Sequence, residues 1–220
     1  MSSFLLLFII SAAITSCGGR RSKRVADEQG VVINGVRWAT RNVDAPGTFA
    51  EFPESSGMLF QWNRRKGWNA TDRYVEGWDS SMPTGTAWYI ENDPCPQGWR
   101  VPTQAEFQSL YDATITFPID WYNMDWAAWD NYIFRYHWFV NWMGTGVRGM
   151  LFGTPPDQIF LPASARRWFN GALVPVTGRW SYAGYWSATC AGSLYIPSVE
   201  SGILAYGDRT FGLSVRCVAK

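Results

Sequence analysis

Residues 4–14, FLLLFIISAAI, form an almost purely apolar run. It falls short of the roughly 18 apolar residues that a membrane-spanning helix requires, and its length suits a signal-peptide core. Beyond it the pattern becomes short and varied. In VVINGVRW, residues 31–38, apolar positions flank Asn34-Gly35, a pair that tolerates the positive φ values of a type I′ turn, so a β-hairpin is predicted there. GMLFQW, residues 57–62, predicts a further strand, and residues 63–94, thick with Gly, Asp, Asn and Trp, predict loop. Thr103-Gln104-Ala105-Glu106 has the form of a capping box, followed by Phe107, Leu110 and Tyr111 at helical spacing. In FPIDWYNMDWAAWDNYIFRYHWFVNW, residues 117–142, Tyr122, Trp126, Trp129 and Ile133 recur at the spacing of one buried helix face. The opposite face carries Asp120, Asp130 and Asn131. This block is either a ring-lined groove for sugar or peptide, or a second core helix with a connecting loop. Residues 159–163, 184–187 and 210–218 predict strands separated by Gly-rich turns, and alternation in the last puts Leu213, Val215 and Cys217 on one face.

The apolar run is followed by Thr15-Ser16-Cys17-Gly18, which resembles the lipobox of bacterial lipoproteins. On that resemblance residues 1–16 are a signal peptide and Cys17 is the lipidated first residue of the mature chain. An ordinary secretory signal with an incidental cysteine is the alternative, and either way the chain is exported. Two acyl chains suffice for stable anchoring. Residues 17–30 form a basic tether, with GGRRSKR lying against anionic lipid or simply solvated. Residues 31–220 remain for one domain with a sizeable core. A net charge of +1 offers no argument for nucleic acid. Fourteen Trp, ten Tyr and thirteen Phe mean that aromatic packing dominates the core, with rings left over for a binding surface. Beyond Cys17 stand Cys95, Cys190 and Cys217, an odd number that allows one bridge and one free thiol. A bridge from Cys95 to Cys217 closes a loop of about 120 residues; Cys190 with Cys217 is equally open on spacing.

Six ordered stretches carry a wider resemblance: VVINGVRWATRNVD, CPQGWRVPTQAEFQSL, GVRGMLFG, IFLPASARR, GYWSAT and FGLSVRCVA. Together they resemble the Fibrobacter succinogenes major paralogous domain of exported Bacteroidetes proteins, over roughly residues 31–219. The resemblance implies an α+β, C-type-lectin-like fold, similar also to formylglycine-generating enzymes: a small mixed or antiparallel sheet, two helices and long loops. It also implies that Cys95 lies near the strand holding Cys217, and hence a Cys95–Cys217 disulfide. The aromatic block 117–142 departs from the family pattern. Proteins with this kind of ending include variable proteins of diversity-generating retroelements, whose last strands and loops contact ligand. Trp186, Leu213 and Val215 are then buried scaffold. Ser193, Tyr195, Ser198, Glu200, Ser201, Tyr206 and Asp208 become the candidate ligand-binding residues, on turns or outward strand positions. Tyr, Ser and Asp are adaptable contact residues of the kind paratopes use. A plain surface loop is the bland alternative.

Catalysis is the competing class. A single histidine, His137, excludes a multi-histidine metal centre. Formylglycine generation needs a cooperating cysteine pair, for which Cys190 with Cys217 is poorly suited because Cys217 sits in a core-facing alternation. Cys190 beside His137 as a lone nucleophile is weighed against a small buried thiol. Asp157, Asp93 and the Trp129-Asp130-Asn131 trio resemble calcium loops of sugar-binding lectins but lack the spacing of a full ligand set, so no cofactor is expected and calcium stays an open, unsupported alternative. The expectation is an exported, membrane-anchored ligand-binding lipoprotein of the cell envelope, without catalysis, whose partner is a protein or glycan. The alternatives are a formylglycine-generating-enzyme-like oxidoreductase and a structural pilus or envelope component.

Overall fold

A computed structural model describes residues 29–113, 138–141, 144–175, 183–189, 192–196, 203–206 and 208–220. The expectations for the signal peptide, Cys17 and most of the tether lie outside these residues. So do those for Cys190, His137, and the helix positions Tyr122, Trp126, Trp129 and Ile133 with Asp120, Asp130 and Asn131.

The described chain opens with β1 (Val31–Ile33) and β2 (Val36–Asn42). They pair antiparallel with Val31 opposite Trp38 and Ile33 opposite Val36. Asn34 and Gly35 take φ values of 48° and 78°, the positive pair a type I′ turn demands, so the predicted hairpin forms. Then come β3 (Leu59–Gln61), β4 (Gly67–Trp68) and a 3-10 turn at Ile90–Asn92, with the rest of 63–94 irregular. After β5 (Trp99–Arg100) the capping box closes as predicted and starts α1 (Gln104–Asp112). The Glu106 N–H donates to Thr103 Oγ1 at 3.2 Å, and the Thr103 N–H donates to Glu106 Oε2 at 2.7 Å. These bonds satisfy two of the backbone donors that a helix start leaves without intrahelical partners.

The remaining elements are strands: β6 (Trp138–Asn141), β7 (Arg148–Thr154), β8 (Asp157–Pro162), β9 (Arg166–Arg167), β10 (Leu173–Val174) and β11 (Ala183–Trp186). β12 (Gly192–Ile196), β13 (Ile203–Tyr206), β14 (Gly212–Leu213) and β15 (Arg216–Ala219) complete the described chain. They form sheets ordered β1-β2-β15-β5, β10-β9-β14-β3-β4, β11-β12-β13 and β6-β7-β8. The strand pairs are antiparallel, and a parallel bridge from Tyr185 to Ser214 joins β11 to the end of β14. The class is α+β, mostly sheet, with one α-helix among the described residues.

Two expectations change. The end of the aromatic block is not connecting loop: Trp138–Asn141 is strand, paired with β7. The strand expected over 210–218 is two strands, because the chain leaves one sheet and enters another at Ser214–Val215. β14 pairs with β3 and β9, whereas β15 pairs with β2 and β5.

Alternation explains how one layer serves two cores. Side chains of successive strand residues point to opposite faces. Trp38, Tyr185 and Val218 enter a core with Phe107, Leu110 and Phe152. Their chain neighbours Ala39, Trp186 and Cys217 enter a second core with Phe60, Trp62 and Val101. Leu213, Val215 and Cys217 share that second core as the sequence predicts, but Ser214, Arg216 and Val218 are also fully buried.

Buried Arg216 is held by oxygen acceptors, donating to Asn42 Oδ1 (2.9 Å), Ala39 O (3.1 Å) and Phe160 O (3.1 Å). It therefore ties β15 to β2 and β8, since a buried cation without such partners would be strongly destabilising. The Tyr185 hydroxyl donates to Pro162 O at 2.9 Å, and burial pushes its pKa above the ordinary phenol value despite nearby Arg216. Cys95 and Cys217 are joined in a disulfide, with Cα atoms 6.1 Å apart. The pairing implied by the family resemblance is the one formed.

Candidate binding surface

The C-terminal segment grows out of β11, whose two aromatic residues anchor it. Trp186 is fully buried and its indole N–H donates to Phe60 O at 2.6 Å. Backbone bonds from Trp186 N to Ser214 O and from Ser214 N to Gly184 O lock β11 beside the start of the terminal run. Residues 187–189 are then pinned on several sides. Ala188 N donates to Pro102 O, Trp88 N donates to Ala188 O, and Gln104 N donates to Thr189 Oγ1.

From there β12 runs back along β11, and β13 along β12. Ser193 sits opposite Trp186 and Ala205, Tyr195 opposite Gly184 and Ile203, and Tyr206 opposite Gly192. Positions 193 and 195 therefore share one sheet face with 186, while 206 shares the other with 185. Backbone register brings Ser193 and Tyr195 together and separates Tyr206 from them. Ser198, Glu200 and Ser201 lie outside the described residues. Much of what the sequence presents as turn-like is paired strand.

Asp208 is exposed, but its carboxylate also holds the turn into β14. Oδ1 accepts from Thr210 N at 2.9 Å and from Thr210 Oγ1 at 2.7 Å, and Phe211 N donates to Asp208 O. This is the local side-chain bonding through which Asp favours turns.

Trp62 joins the two ends of the segment. Its indole N–H donates to Ser187 O at 3.0 Å, its backbone N–H donates to Arg209 O at 3.2 Å, and the Arg209 guanidinium lies 4.5 Å from its ring centroid. Arg209 also donates to Gly85 O at 2.7 Å, drawing in the loop that carries exposed Met82, Tyr89 and Ile90. Trp88 packs edge-on against Trp62, with centroids 6.0 Å apart. Asn63, at a positive φ of 54°, accepts the Tyr89 N–H through Oδ1. Trp62 and Arg209 thus tie residues 83–89 to Ser187 and to the turn at Arg209. No local sequence signal marks them, because their partners are distant in the chain.

Asp93, considered above for calcium, is turned inward. Its carboxylate accepts from Cys95 N at 2.8 Å and Val101 N at 3.2 Å. Burial pushes its pKa above the ordinary carboxylate value, against the lowering effect of those bonds and of Lys220 and Arg65. Asp157 begins β8. Among the described residues no group of three His, Cys, Asp or Glu side chains could hold a metal ion. Cys217, the other half of the thiol pair considered for formylglycine chemistry, is consumed by Cys95. No helix among the described residues is long and apolar enough to cross a membrane. The chain matches no family model, no curated protein and no solved structure.

Proposed function

We propose that this chain is an exported, lipid-anchored ligand-binding protein of the cell envelope with a C-type-lectin-like domain, presenting residues 188–208 as its binding surface. The clasp at Trp62 is the observation that carries this reading. A segment whose two ends are fixed on one buried ring and its flanking loop can vary between those ends while its points of departure and return stay in place. The small antiparallel sheets, the capped helix and the buried terminal strand bridged to Cys95 support the lectin-like comparison. The six ordered motifs support the kinship with the major paralogous domain, and the lipobox-like stretch before Cys17 supports anchoring, most naturally at the outer membrane.

Ser193, Tyr195, Ser198, Glu200, Ser201, Tyr206 and Asp208 are the proposed contacts to a protein or glycan. Arrays of both classes probed with the chain from Val25 onward test the reading. The comparison is a variant carrying Tyr195→Ser, Tyr206→Ser and Asp208→Asn, the last chosen because Asn keeps the oxygen that accepts from Thr210. Loss of the array signal with an unchanged melting temperature is expected. Retained binding in the folded variant places the site elsewhere. Mass spectrometry of the membrane fraction is expected to show an acylated N-terminal Cys17, and unmodified soluble protein would remove the anchor.

A further inference from the structure

Arg167 stands on β9, opposite Leu173 of β10 and Gly212 of β14, and its side chain is fully buried. Its guanidinium is held by oxygen. Nη2 donates to Asn69 O at 2.8 Å, to Asn69 Oδ1 at 3.1 Å and to Asp72 O at 2.9 Å. Nε donates to Asn69 O at 3.2 Å, and Nη1 donates to Gly171 O at 2.6 Å. Burial pulls the Arg167 pKa below the ordinary guanidinium value and the nearby Asp72 carboxylate works against that, while the group remains a cation. A charge at such depth is tolerated only with partners of this kind.

Local structure aims each of these oxygens. Asn69 Oδ1 also accepts from Thr71 N at 3.2 Å and from Asp72 N at 2.8 Å, the side-chain turn that Asn favours, and Asn69 Nδ2 donates to Asp72 Oδ2 at 2.7 Å. Gly171 N donates to Trp168 O at 2.8 Å, and a φ of +80° with Trp78 2.9 Å from where a Cβ would stand requires glycine. Residues 69–80 have no regular secondary structure. They are tied to the β9–β10 hairpin through Arg167, through the Leu173 N–H donated to Arg73 O, and through Trp78 Nε1 and Ser80 Oγ, which donate to Phe169 O. Buried Gln61 carries the connection further, its Nε2 donating to Asp79 O at 2.7 Å and to Thr210 O at 3.1 Å. The loop is thereby joined to the turn at which the C-terminal segment returns.

We infer that the oxygens of Asn69, Asp72 and Gly171 form a guanidinium-selective cation site, filled from within by Arg167, which holds the 69–80 loop against the β9–β10 hairpin. Carbonyl and amide oxygens beside a carboxylate are the donor chemistry that hard cations take. Here the acceptors bond three different nitrogens of one planar group, so they are spread along its edge rather than gathered around a point. That arrangement suits the rigid five-donor fork of a guanidinium and not the compact charge of an ammonium. The fork, rather than its attachment to β9, is what the oxygens recognise. A free guanidinium ion therefore enters the site once the Arg167 side chain is removed.

The test follows thermal unfolding of the full chain and of its Arg167→Ala and Arg167→Lys variants. Each is measured in millimolar guanidinium chloride, in sodium chloride of equal ionic strength, and in calcium chloride. Both variants are expected to melt below the parent in sodium chloride. Guanidinium should stabilise Arg167→Ala saturably, raising its folding constant about tenfold when present at about ten times its dissociation constant. The parent and Arg167→Lys should not respond. If Arg167→Ala has no cooperative transition in sodium chloride, guanidinium is expected to restore one. Indifference of Arg167→Ala to guanidinium, equal rescue by calcium, or a lysine variant as stable as the parent overturns the proposal.

Discussion

Arg209 lies over the ring of Trp62, its guanidinium carbon 4.5 Å from the centroid, while its own carbonyl accepts the Trp62 backbone N–H. The ring beneath is fully buried and reaches Ser187 on its other side. One tryptophan therefore sets where the C-terminal segment leaves the scaffold and where it returns.

Arg209→Ala removes the guanidinium from the ring and its bond to Gly85. A cation over a partly desolvated ring is worth roughly 0.5 to 2 kcal/mol, so a loss in that range is expected in chemical denaturation. Ligand binding should fall by more than this, because the exit of the segment and the 83–89 loop both lose their tether. Unchanged binding would detach the clasp from the proposed function.

Trp186→Ala should unfold the domain or come close to it. The side chain is fully buried in the second core, and its N–H has a partner in Phe60 O. Truncations of this kind cost about 3 to 5 kcal/mol. A urea midpoint within error of the parent would show that the ring does not hold β11 as described.

Removing both bridge cysteines, Cys95→Ala with Cys217→Ala, releases a constraint spanning a sequence separation of 122. Loop entropy alone predicts a loss of about 4 to 5 kcal/mol. Non-reducing peptide mapping of the parent should recover the Cys95–Cys217 pair. A bond from Cys190 to either residue would contradict the structure.

Glu106 gives the acid limb of stability a definite sign. Burial alone would raise its pKa, but Arg100 (2.8 Å from Oε2) and the Thr103 N–H and hydroxyl together hold it below the ordinary carboxylate value of 4.5. The folded chain therefore takes up this proton less readily than the unfolded one. The contribution is present above the unfolded pKa and is lost as pH falls through the folded pKa. Glu106→Gln should cost about 1 kcal/mol at neutral pH and make stability less dependent on pH in the acid range, as read from urea midpoints. An acid limb as steep as the parent's would assign the dependence to another group.

Where structure depends on neighbours in the chain, it was legible in advance. The Asn34-Gly35 hairpin and the Thr103–Glu106 cap form because a turn and a helix start are decided by the φ preferences and side-chain bonds of a few consecutive residues. The period of two likewise placed Leu213, Val215 and Cys217 together, and the ordered motifs carried the Cys95–Cys217 pairing through resemblance. Alternation describes only one strand, however, and does not say what covers its other face. Closure of two cores decided that Ser214, Arg216 and Val218 are buried as well, and that the terminal run divides between two sheets. Tertiary structure alone also brought Trp62 between Ser187 and Arg209, and paired Tyr195 and Tyr206 into neighbouring strands at positions on opposite faces. Those relationships depend on strand register between distant segments, and register is set by burying both faces at once.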